Sequence, residues 1–380
     1  MKTTSTFRAT DASSSTAMTR RDFLARTSLS VAAFALPPGT SAFANQAAVL
    51  KSTVKATHMG IVVHSYATRW NAKVNSTQYP GFTDAIDLMR HCHKIGSGGV
   101  QVGINNWSLD FAKKVRAEKD KLGLFLEGSI GMPFVKEEVD AFDKNVAAGK
   151  ASGMNVIRTV CTSGRRYEIY HAASDFEMAR NKAITALQLA EPVLRKHQVK
   201  LGVENHKDWR ATELAEIIKK MNSEWIGVTL DFGNSIALME DPMDVVKTLA
   251  PYAVSTHVKD MGLEEYENGL LLSEVPLGKG MLNLNEMVNL CKKYNPSIAF
   301  NLEMITRDPL QIPCLTEDYW ATFGSVNGSE LARTFRMVRA HKETAPLPRV
   351  SQLSNDQRLD VEEQNILASL RFSENDLGLK

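Results

Sequence analysis

The sequence has no marked excess of either charge, no long apolar run beyond its N-terminal segment and no paired cysteines. Its 380 residues carry 45 Lys and Arg against 43 Asp and Glu, so no basic surface that would attract nucleic acid or an anionic membrane is evident. No stretch beyond the N-terminus is long enough to span a bilayer. The cysteines form no C-x-x-C motif, which disfavours a zinc–thiolate or redox site. An oxidising compartment would permit a disulfide between Cys291 and Cys314, but independent buried thiols are the favoured interpretation for Cys92, Cys161, Cys291 and Cys314.

The first 44 residues have the layout of an export signal and are set aside from the fold. Residues 19–24 contain Arg-Arg and resemble the twin-arginine signal, although Ala25 stands where a basic residue is usual. A mildly apolar run at 29–36 and Ala-Phe-Ala at 42–44 follow in the expected order. An organellar presequence is the alternative, because the segment is rich in Ser and Thr. We expect a periplasmic or secreted protein, with a linker at 45–56.

Three short apolar runs between residues 199 and 260 each stop abruptly at a polar residue. They end near Glu204, Asp231 and His257, as is typical of strands buried on both faces that open into a site. One helical pattern separates each run from the next. The polar residues are 27 positions apart (204 to 231) and 26 apart (231 to 257), so we expect them at the same edge of a parallel sheet. A fourth run, 298–305, contains Glu303.

The same alternation of strands and helices runs from residue 57 to residue 345. Further strands are predicted at 58–65, 98–104, 123–129 and 155–161, and helices at 82–95, 109–122, 135–152, 176–197, 211–221, 241–249, 284–294 and 331–341. Eight such units predict a single-domain α/β protein with the (β/α)8 TIM-barrel fold. A doubly wound sheet is the alternative, but no G-x-G-x-x-G follows the first strand. The polar tail, 346–380, contains a candidate helix at 359–372 that would pack on the barrel or on another subunit.

Three carboxylates and one imidazole at consecutive strand ends predict a metal site. Neighbouring strands lie only about 4.8 Å apart, so four consecutive ends can converge on one ion. A donor set of Glu204, Asp231, His257 and Glu303 suits Mn²⁺, Mg²⁺ or Co²⁺, and Zn²⁺ can also be accommodated. Each residue alone could be an ordinary salt-bridge partner or hydrogen-bonded core residue. All four, however, lie at the carboxyl ends of predicted strands, where barrel enzymes carry their active sites, and this shared position favours one divalent ion.

These residues resemble the metal site of the xylose isomerase-like TIM-barrel superfamily. That superfamily includes sugar epimerases of the tagatose 3-epimerase type, hydroxypyruvate isomerases, inosose dehydratases and endonuclease IV. The resemblance covers roughly residues 55–345 and is carried by the segments 203–206, 230–234, 257–260, 276–280 and 302–303. This chain departs at Asn234, where the epimerases and endonuclease IV carry His. The extra Asp-x-His ligands of a trinuclear zinc nuclease are also absent from 261–280, which disfavours DNA repair.

The resemblance implies proton transfer next to a carbonyl group. A metal would bind a keto oxygen and a neighbouring hydroxyl and would stabilise an enediolate. Glu204 and Glu303 would act both as ligands and as the acid/base pair on opposite sides of the substrate. Asp231 and His257 would be ligands only.

Other polar and aromatic residues are candidates for contact with the substrate. His206 and Lys259 lie two positions after a predicted ligand, so their side chains share its side of the strand if the strand continues. Strand-end or aromatic character adds His64, Glu127, Asn234, Trp107 and Trp209. Salt bridges or core packing are the alternatives for all of them. Arg158 is expected to pair with a buried acid, and 165–166 to form a solvated Arg-Arg loop.

The sequence therefore predicts an exported, divalent-metal-dependent isomerase or epimerase for a non-phosphorylated sugar or keto-sugar. A dehydratase or lyase acting on a keto-polyol or a 3-keto-glycoside would use the same site. A sugar-binding barrel without catalytic activity is the second alternative. The expected partner is a small molecule, with no nucleic acid and no membrane span, and the chain is a candidate for homo-oligomer formation.

Overall fold

The computed structural model describes residues 57–70, 76–162, 164–341 and 346–379. The predicted export signal and linker lie outside these ranges. Eight parallel strands close into a barrel, in the order β1-β10-β7-β6-β5-β4-β3-β2, as the alternation in the sequence predicts. The barrel strands are β1 Gly60–Val62, β2 Gly99–Gly103, β3 Phe125–Ser129, β4 Val156–Thr159, β5 Lys200–Glu204, β6 Ile226–Asp231, β7 Ala253–Val258 and β10 Phe300–Leu302.

Helices connect and cover the strands, which gives a single-domain (β/α)8 barrel. Six of the twelve described helices begin at a side-chain cap; for example, Asp84 accepts hydrogen bonds from the first-turn amides of α2. The helices are α1 Ala67–Trp70, α2 Ala85–Lys94, α3 Leu109–Leu122, α4 Val139–Ala151, α5 Arg166–Ile169, α6 Ala173–His197, α7 Ala211–Met221, α8 Pro242–Leu249, α9 Leu284–Tyr294, α10 Glu317–Trp320, α11 Gly328–Ala340 and α12 Asn355–Asn375. The short helices α1, α5 and α10 have no counterpart in the sequence prediction, because a single turn carries too little periodicity. No helix in the described part of the chain is long and apolar enough to cross a membrane.

A small antiparallel sheet stands beside the barrel where the sequence predicts only a long connection. Its strands, in the order β11-β9-β8, are β8 Asp260–Tyr266, β9 Gly269–Val275 and β11 Leu310–Ile312. The sequence signal was the Asn-Gly pair at 268–269, a dipeptide typical of hairpin turns, followed by the apolar run 270–272.

The Pro-Leu-Gly-Lys-Gly turn at 276–280 is built on one carboxylate. Asp260 Oδ2 accepts hydrogen bonds from the amides of Gly278 (3.0 Å) and Gly280 (2.9 Å). Gly278 has φ +79°, and a Cβ atom on Gly280 would lie 2.3 Å from Asp260 Oδ1. The two glycines are therefore required by left-handed backbone and close approach, respectively.

The C-terminal helix α12 packs against the beginning of the barrel domain. It is longer than the helix predicted from the sequence and starts with a capping box at Ser354. Glu362 accepts hydrogen bonds from the backbone amides of Thr68 and Arg69, and the amide of His58 donates to the carbonyl of Leu379. The sequence allowed this helix to pack on the barrel or on another subunit, and the contact with the barrel is present.

All four cysteines are buried free thiols, in agreement with the favoured interpretation.

Candidate metal centre and active-site cleft

Four predicted ligands converge at the carboxyl ends of β5, β6, β7 and β10. Glu204 and Asp231 are the last residues of their strands, His257 is the penultimate residue of β7, and Glu303 directly follows β10. One donor atom from each lies within 4.8 Å of the others, and all four residues are buried. The arrangement follows from strand register, because His257 is opposite both Asp231 on β6 and Asn301 on β10.

His257 has one ring nitrogen held by the protein and one that is open. Its Nε2 lies 2.7 Å from Gln101 Oε1. Gln101 Nε2 in turn donates to Glu127 Oε2 at 3.1 Å, which fixes the orientation of the amide. Nε2 must therefore carry the proton, and Nδ1, which has no hydrogen-bond partner among the described residues, faces the carboxylates. A buried imidazole nitrogen fixed in this way is a typical metal ligand.

The charges around the cluster favour a cation at its centre. Arg158 Nε donates to Glu204 Oε2 at 2.5 Å, and Lys259 Nζ lies 2.8 Å from Asp231 Oδ2 and 2.6 Å from Glu303 Oε2. Two cations thus face three carboxylates. Burial by itself would lower the pKa of His257, but Glu204 and Glu303 raise it to about 9. Without an ion the imidazole is therefore protonated at neutral pH, and a bound divalent ion would replace the proton on Nδ1.

The two glutamates remain ionised although burial opposes the charged form. Arg158 and His257 hold the pKa of Glu204 well below its ordinary value, and Lys259 and His257 do the same for Glu303. Three carboxylates and an imidazole nitrogen that faces them fit a divalent ion of the Mn²⁺, Mg²⁺ or Co²⁺ type.

Asn234 stands behind the ligands. Its Nδ2 donates to Glu204 Oε1 at 3.0 Å and its backbone amide donates to Asp231 Oδ1 at 2.7 Å. Its Oδ1 accepts hydrogen bonds from Lys207 and from Lys259. The side chain is fully buried, so it orients ligands where we had expected contact with a substrate.

A cleft of about 310 Å³ opens above the cluster, at the lower end of the size range of small-molecule sites. Its lining residues are His64, Gly164, Arg165, Glu168, His206, Lys207, Lys259, Glu303, Ile305 and Arg307. A larger cavity of about 860 Å³ lies around Phe125, Ile298 and Leu379, at the amino ends of the strands. We assign the site to the smaller cleft because two members of the charged cluster, Lys259 and Glu303, form its wall.

Three of the predicted substrate-contact residues line this cleft. His64 Nδ1 lies 3.1 Å from Glu303 Oε1. Lys259 bridges Asp231 and Glu303, and His206 has a buried Nδ1 without a hydrogen-bond partner among the described residues. Burial lowers the pKa of His206 to about 4.

The other expected contacts lie away from the cleft. Glu127 is buried in the barrel interior, where its Oε2 accepts hydrogen bonds from Gln101, Ser255 and Asn301. Trp107 packs edge-to-face on Phe111, with ring centroids 5.1 Å apart. Trp209 is fully buried against Phe176. Strand-end position and aromatic character could not separate these residues from residues of the cleft, because neither shows in which layer of the barrel a side chain lies.

Among the arginines, the sequence was right about Arg158 and wrong about Arg166. Arg158 pairs with the buried Glu204. Arg166 is 2% exposed, stacks 3.6 Å from the ring centroid of Phe176 and pairs with Glu213 at 2.9 Å, so it is a core residue. Arg165 lines the cleft.

Sequence reasoning missed Gln101, Lys207 and Arg307. Gln101 lies inside a buried strand, where a single amide carries no motif. Lys207 and Arg307 lie beyond the strand ends, where period-two alternation no longer applies.

Comparison with known proteins identifies the family. Residues 91–322, more than half of the chain, match the profile described as Xylose isomerase-like TIM barrel. The chain belongs to this family. A similar protein, 3-oxo-isoapionate decarboxylase of Pectobacterium atrosepticum, is 23% identical over 236 residues, or 60% of this chain and 79% of the relative.

Solved structures with similar folds are known. D-psicose 3-epimerase, crystallised in the presence of D-fructose, superimposes with a TM-score of 0.57 at 16% identity, covering 85% of this chain and 99% of the epimerase. A Mycobacterium smegmatis family member in complex with magnesium gives a TM-score of 0.50 at 14% identity, covering 76% of this chain and 100% of that protein. At these identities the similarity shows the fold alone.

Proposed function

We propose that this protein is a divalent-metal-dependent enzyme that moves a proton next to the carbonyl group of a small polyhydroxylated oxo compound. The proposed reaction is an isomerisation or epimerisation. The observation that carries the proposal is the convergence of Glu204, Asp231, His257 and Glu303, with His257 Nδ1 left open toward the carboxylates. A structurally similar protein named D-psicose 3-epimerase adds support.

The four converging residues would hold the ion. When bound, it supplies Lewis acidity to a substrate carbonyl and so lowers the cost of removing the neighbouring proton. Arg158 and Lys259 limit the repulsion among the three carboxylates, and Gln101 keeps the imidazole in the tautomer that coordinates.

Glu303 is the best-placed general base. It is the candidate ligand that also forms the cleft wall, and it is ionised, so its free oxygen lone pairs can accept a proton. Glu204 was predicted to be its acid/base partner. Arg158 and Asn234 hold Glu204 beneath the cleft, whereas His206 lines the cleft. We therefore assign Glu204 chiefly to metal binding, and propose that in an isomerisation Glu303 itself returns the proton that it removed. His206 is neutral because burial lowers its pKa, so we propose that it binds a substrate hydroxyl.

Elimination or decarboxylation is the second candidate, because the relative from Pectobacterium atrosepticum is named a decarboxylase. Both reactions also require that the carbonyl group take up the negative charge that bond cleavage leaves on the neighbouring carbon. Product analysis separates the two, since an isomerase conserves the substrate's mass. Loss of water, an aglycone or CO₂ would replace the isomerase proposal by the lyase.

The first experiment is elemental analysis of the purified protein and of two glutamate variants. We expect one divalent ion per chain in the wild type and less bound metal per chain in Glu303→Gln. Glu168→Gln is the matched control, because Glu168 lines the same cleft but pairs with Arg165. Exchange of substrate protons with D₂O should then be lost in Glu303→Gln. If no ion binds under any metal supplementation, the catalytic proposal fails and a sugar-binding barrel takes its place.

We also propose export through the twin-arginine pathway to the periplasm or the exterior, supported by the arginine pair and the small-residue motif before residue 45. N-terminal sequencing of the native protein tests this proposal. A mature chain beginning after residue 44 is expected, and an unprocessed cytosolic chain would contradict it. Assembly into a homo-oligomer stays a prediction for sedimentation analysis.

A further inference from the structure

Lys207 is a buried cation at the cleft without a carboxylate partner. It follows β5, is 4% exposed and lines the cleft. Its Nζ donates to the side-chain oxygen of Asn234 and forms no ion pair with any carboxylate in the described part of the chain. An ammonium has three N–H donors, so two of them remain available.

The other cations of the cleft differ in this respect. Arg307 donates through Nη2 and Nε to the two carboxylate oxygens of the buried Glu274, at 2.5 and 3.2 Å, while its Nη1 has no hydrogen bond to a described residue. Each cation that lines the cleft, apart from Lys207, has an acidic partner: Arg165 with Glu168, Arg307 with Glu274, and Lys259 with Asp231 and Glu303. Lys207 is therefore the cleft-lining cation that has no carboxylate in contact with it among the described residues.

The backbone of Lys207 is also in an unfavourable conformation. Its φ angle is +70°, in the left-handed region that residues with a Cβ atom rarely adopt. Burying an ammonium without a counter-ion is costly as well. Burial, together with the charges of Lys259 and Arg307, lowers the pKa of Lys207 to about 8, which still leaves it mostly protonated at pH 7. Strain and an unpaired charge at one residue of the cleft indicate that a ligand completes the pairing.

We propose that the substrate carries one carboxylate group and that Lys207 binds it, with Arg307 on the same cleft wall. The inference rests on the proposed function only in that both place the substrate in this cleft. A single ammonium with two free N–H donors matches the charge of a carboxylate, whereas a phosphate monoester carries about −1.5 to −2 at pH 7. The substrate class thereby narrows from neutral keto-sugars to oxo-sugar acids.

Binding of non-reacting acid and alcohol pairs tests the proposal directly. The probes are aldonates of four to six carbons, such as gluconate, and the alditols of equal length, such as sorbitol, titrated calorimetrically into the metal-supplemented full-length protein. We expect the best aldonate to bind about ten- to a hundredfold more tightly than its alditol, the range that a charge-assisted hydrogen bond supplies. Lys207→Met, which keeps most of the stem and removes the charge, should bring the ratio close to one.

Two further variants separate charge from structure. Lys207→Arg should retain a preference for acids. Lys113→Met, at an exposed lysine on α3 whose side chain is 72% accessible, should behave as the wild type. Lys207→Met should also keep its metal content and a melting temperature equal to or above that of the wild type, since it removes an unpaired buried charge. If Lys207→Met does not fold, Lys207→Gln serves as the second neutral variant.

Each outcome has a definite meaning. Equal affinity for acids and alcohols, failure of every aldonate to bind, or an acid preference that survives Lys207→Met would overturn the proposal. Tighter, Lys207-dependent binding of inorganic phosphate would replace the carboxylate by a phosphorylated substrate. Because Lys207 is not among the converging ligands, loss of metal binding in the wild type would refute the proposed function while the acid preference is still measured separately.

Discussion

Replacing Gln101 by Leu should weaken metal binding although Gln101 would not touch the ion. Gln101 is 1% exposed and holds Nε2 of His257 at 2.7 Å. Leucine fills a similar volume but cannot accept the Nε2 proton, so the imidazole loses the contact that fixes its tautomer and its orientation. Loss of such a supporting contact typically reduces metal affinity about 10- to 100-fold.

The same substitution should lower the stability of the metal-free protein. The buried Nε2–H of His257 would lose its acceptor, which costs about 1–3 kcal/mol. Glu127 would lose one of its three side-chain donors and keep those from Ser255 and Asn301. We therefore expect a loss of about 1–3 kcal/mol in the free energy of unfolding, which comes from the unsatisfied N–H of His257.

Competition with a chromophoric chelator measures the metal affinity, and urea unfolding in the presence of a strong chelator measures the stability. Gln364→Leu is the matched control, because Gln364 lies on α12 and its buried Oε1 has no hydrogen-bond partner among the described residues. The control should keep the wild-type affinity. If Gln101→Leu also keeps it while stability falls, His257 is not a ligand and the reasoning about its open nitrogen is refuted.

Two more perturbations test the charges of the site. Lys259→Met should destabilise the metal-free protein by about 3 kcal/mol, because Asp231 and Glu303 lose their shared counter-ion. Added metal should restore part of this loss. Urea unfolding in the presence of a chelator measures the effect, and an unchanged unfolding curve would contradict the prediction. Burial raises the pKa of Glu127 from 4.5 to about 7, so between these values the folded chain binds more protons than the unfolded chain and stability falls as pH rises. That contribution is on the order of 3 kcal/mol, and Glu127→Gln should flatten the pH dependence of unfolding over this interval; an identical slope would show that Glu127 is not the titrating group.

The barrel could be predicted from sequence because each of its strands is an apolar run followed by a separate helical pattern. The four metal-ligand candidates could be found for the same reason. Residues at the ends of consecutive parallel strands must be neighbours, so spacing along the chain translates directly into distance in the fold. The hairpin of β8 and β9 was missed although Asn268-Gly269 marked its turn, because no helix separates the two strands.

Depth within the barrel was not predictable. Glu127 and His64 both belong to strand-end segments, yet Glu127 is buried beneath the ligands and His64 contacts Glu303 at the cleft. Trp209 is a core residue, although its position shortly after β5 suggested a wall for a sugar. Alternation defines the side of a strand on which a residue lies, whereas barrel closure and the tilt of the strands decide which layer it occupies.

By itself, the sequence determined the eight barrel strands and the convergence of the four candidate ligands, since both depend on local periodicity and on connectivity. Only the tertiary structure decided the charge balance of the cleft. Whether a basic side chain has an acidic partner depends on residues distant in the chain; Arg307, for example, pairs with Glu274 from β9. Lys207 is left unmatched for the same reason, because pairing is a property of three-dimensional distance and burial that no spacing along the chain encodes.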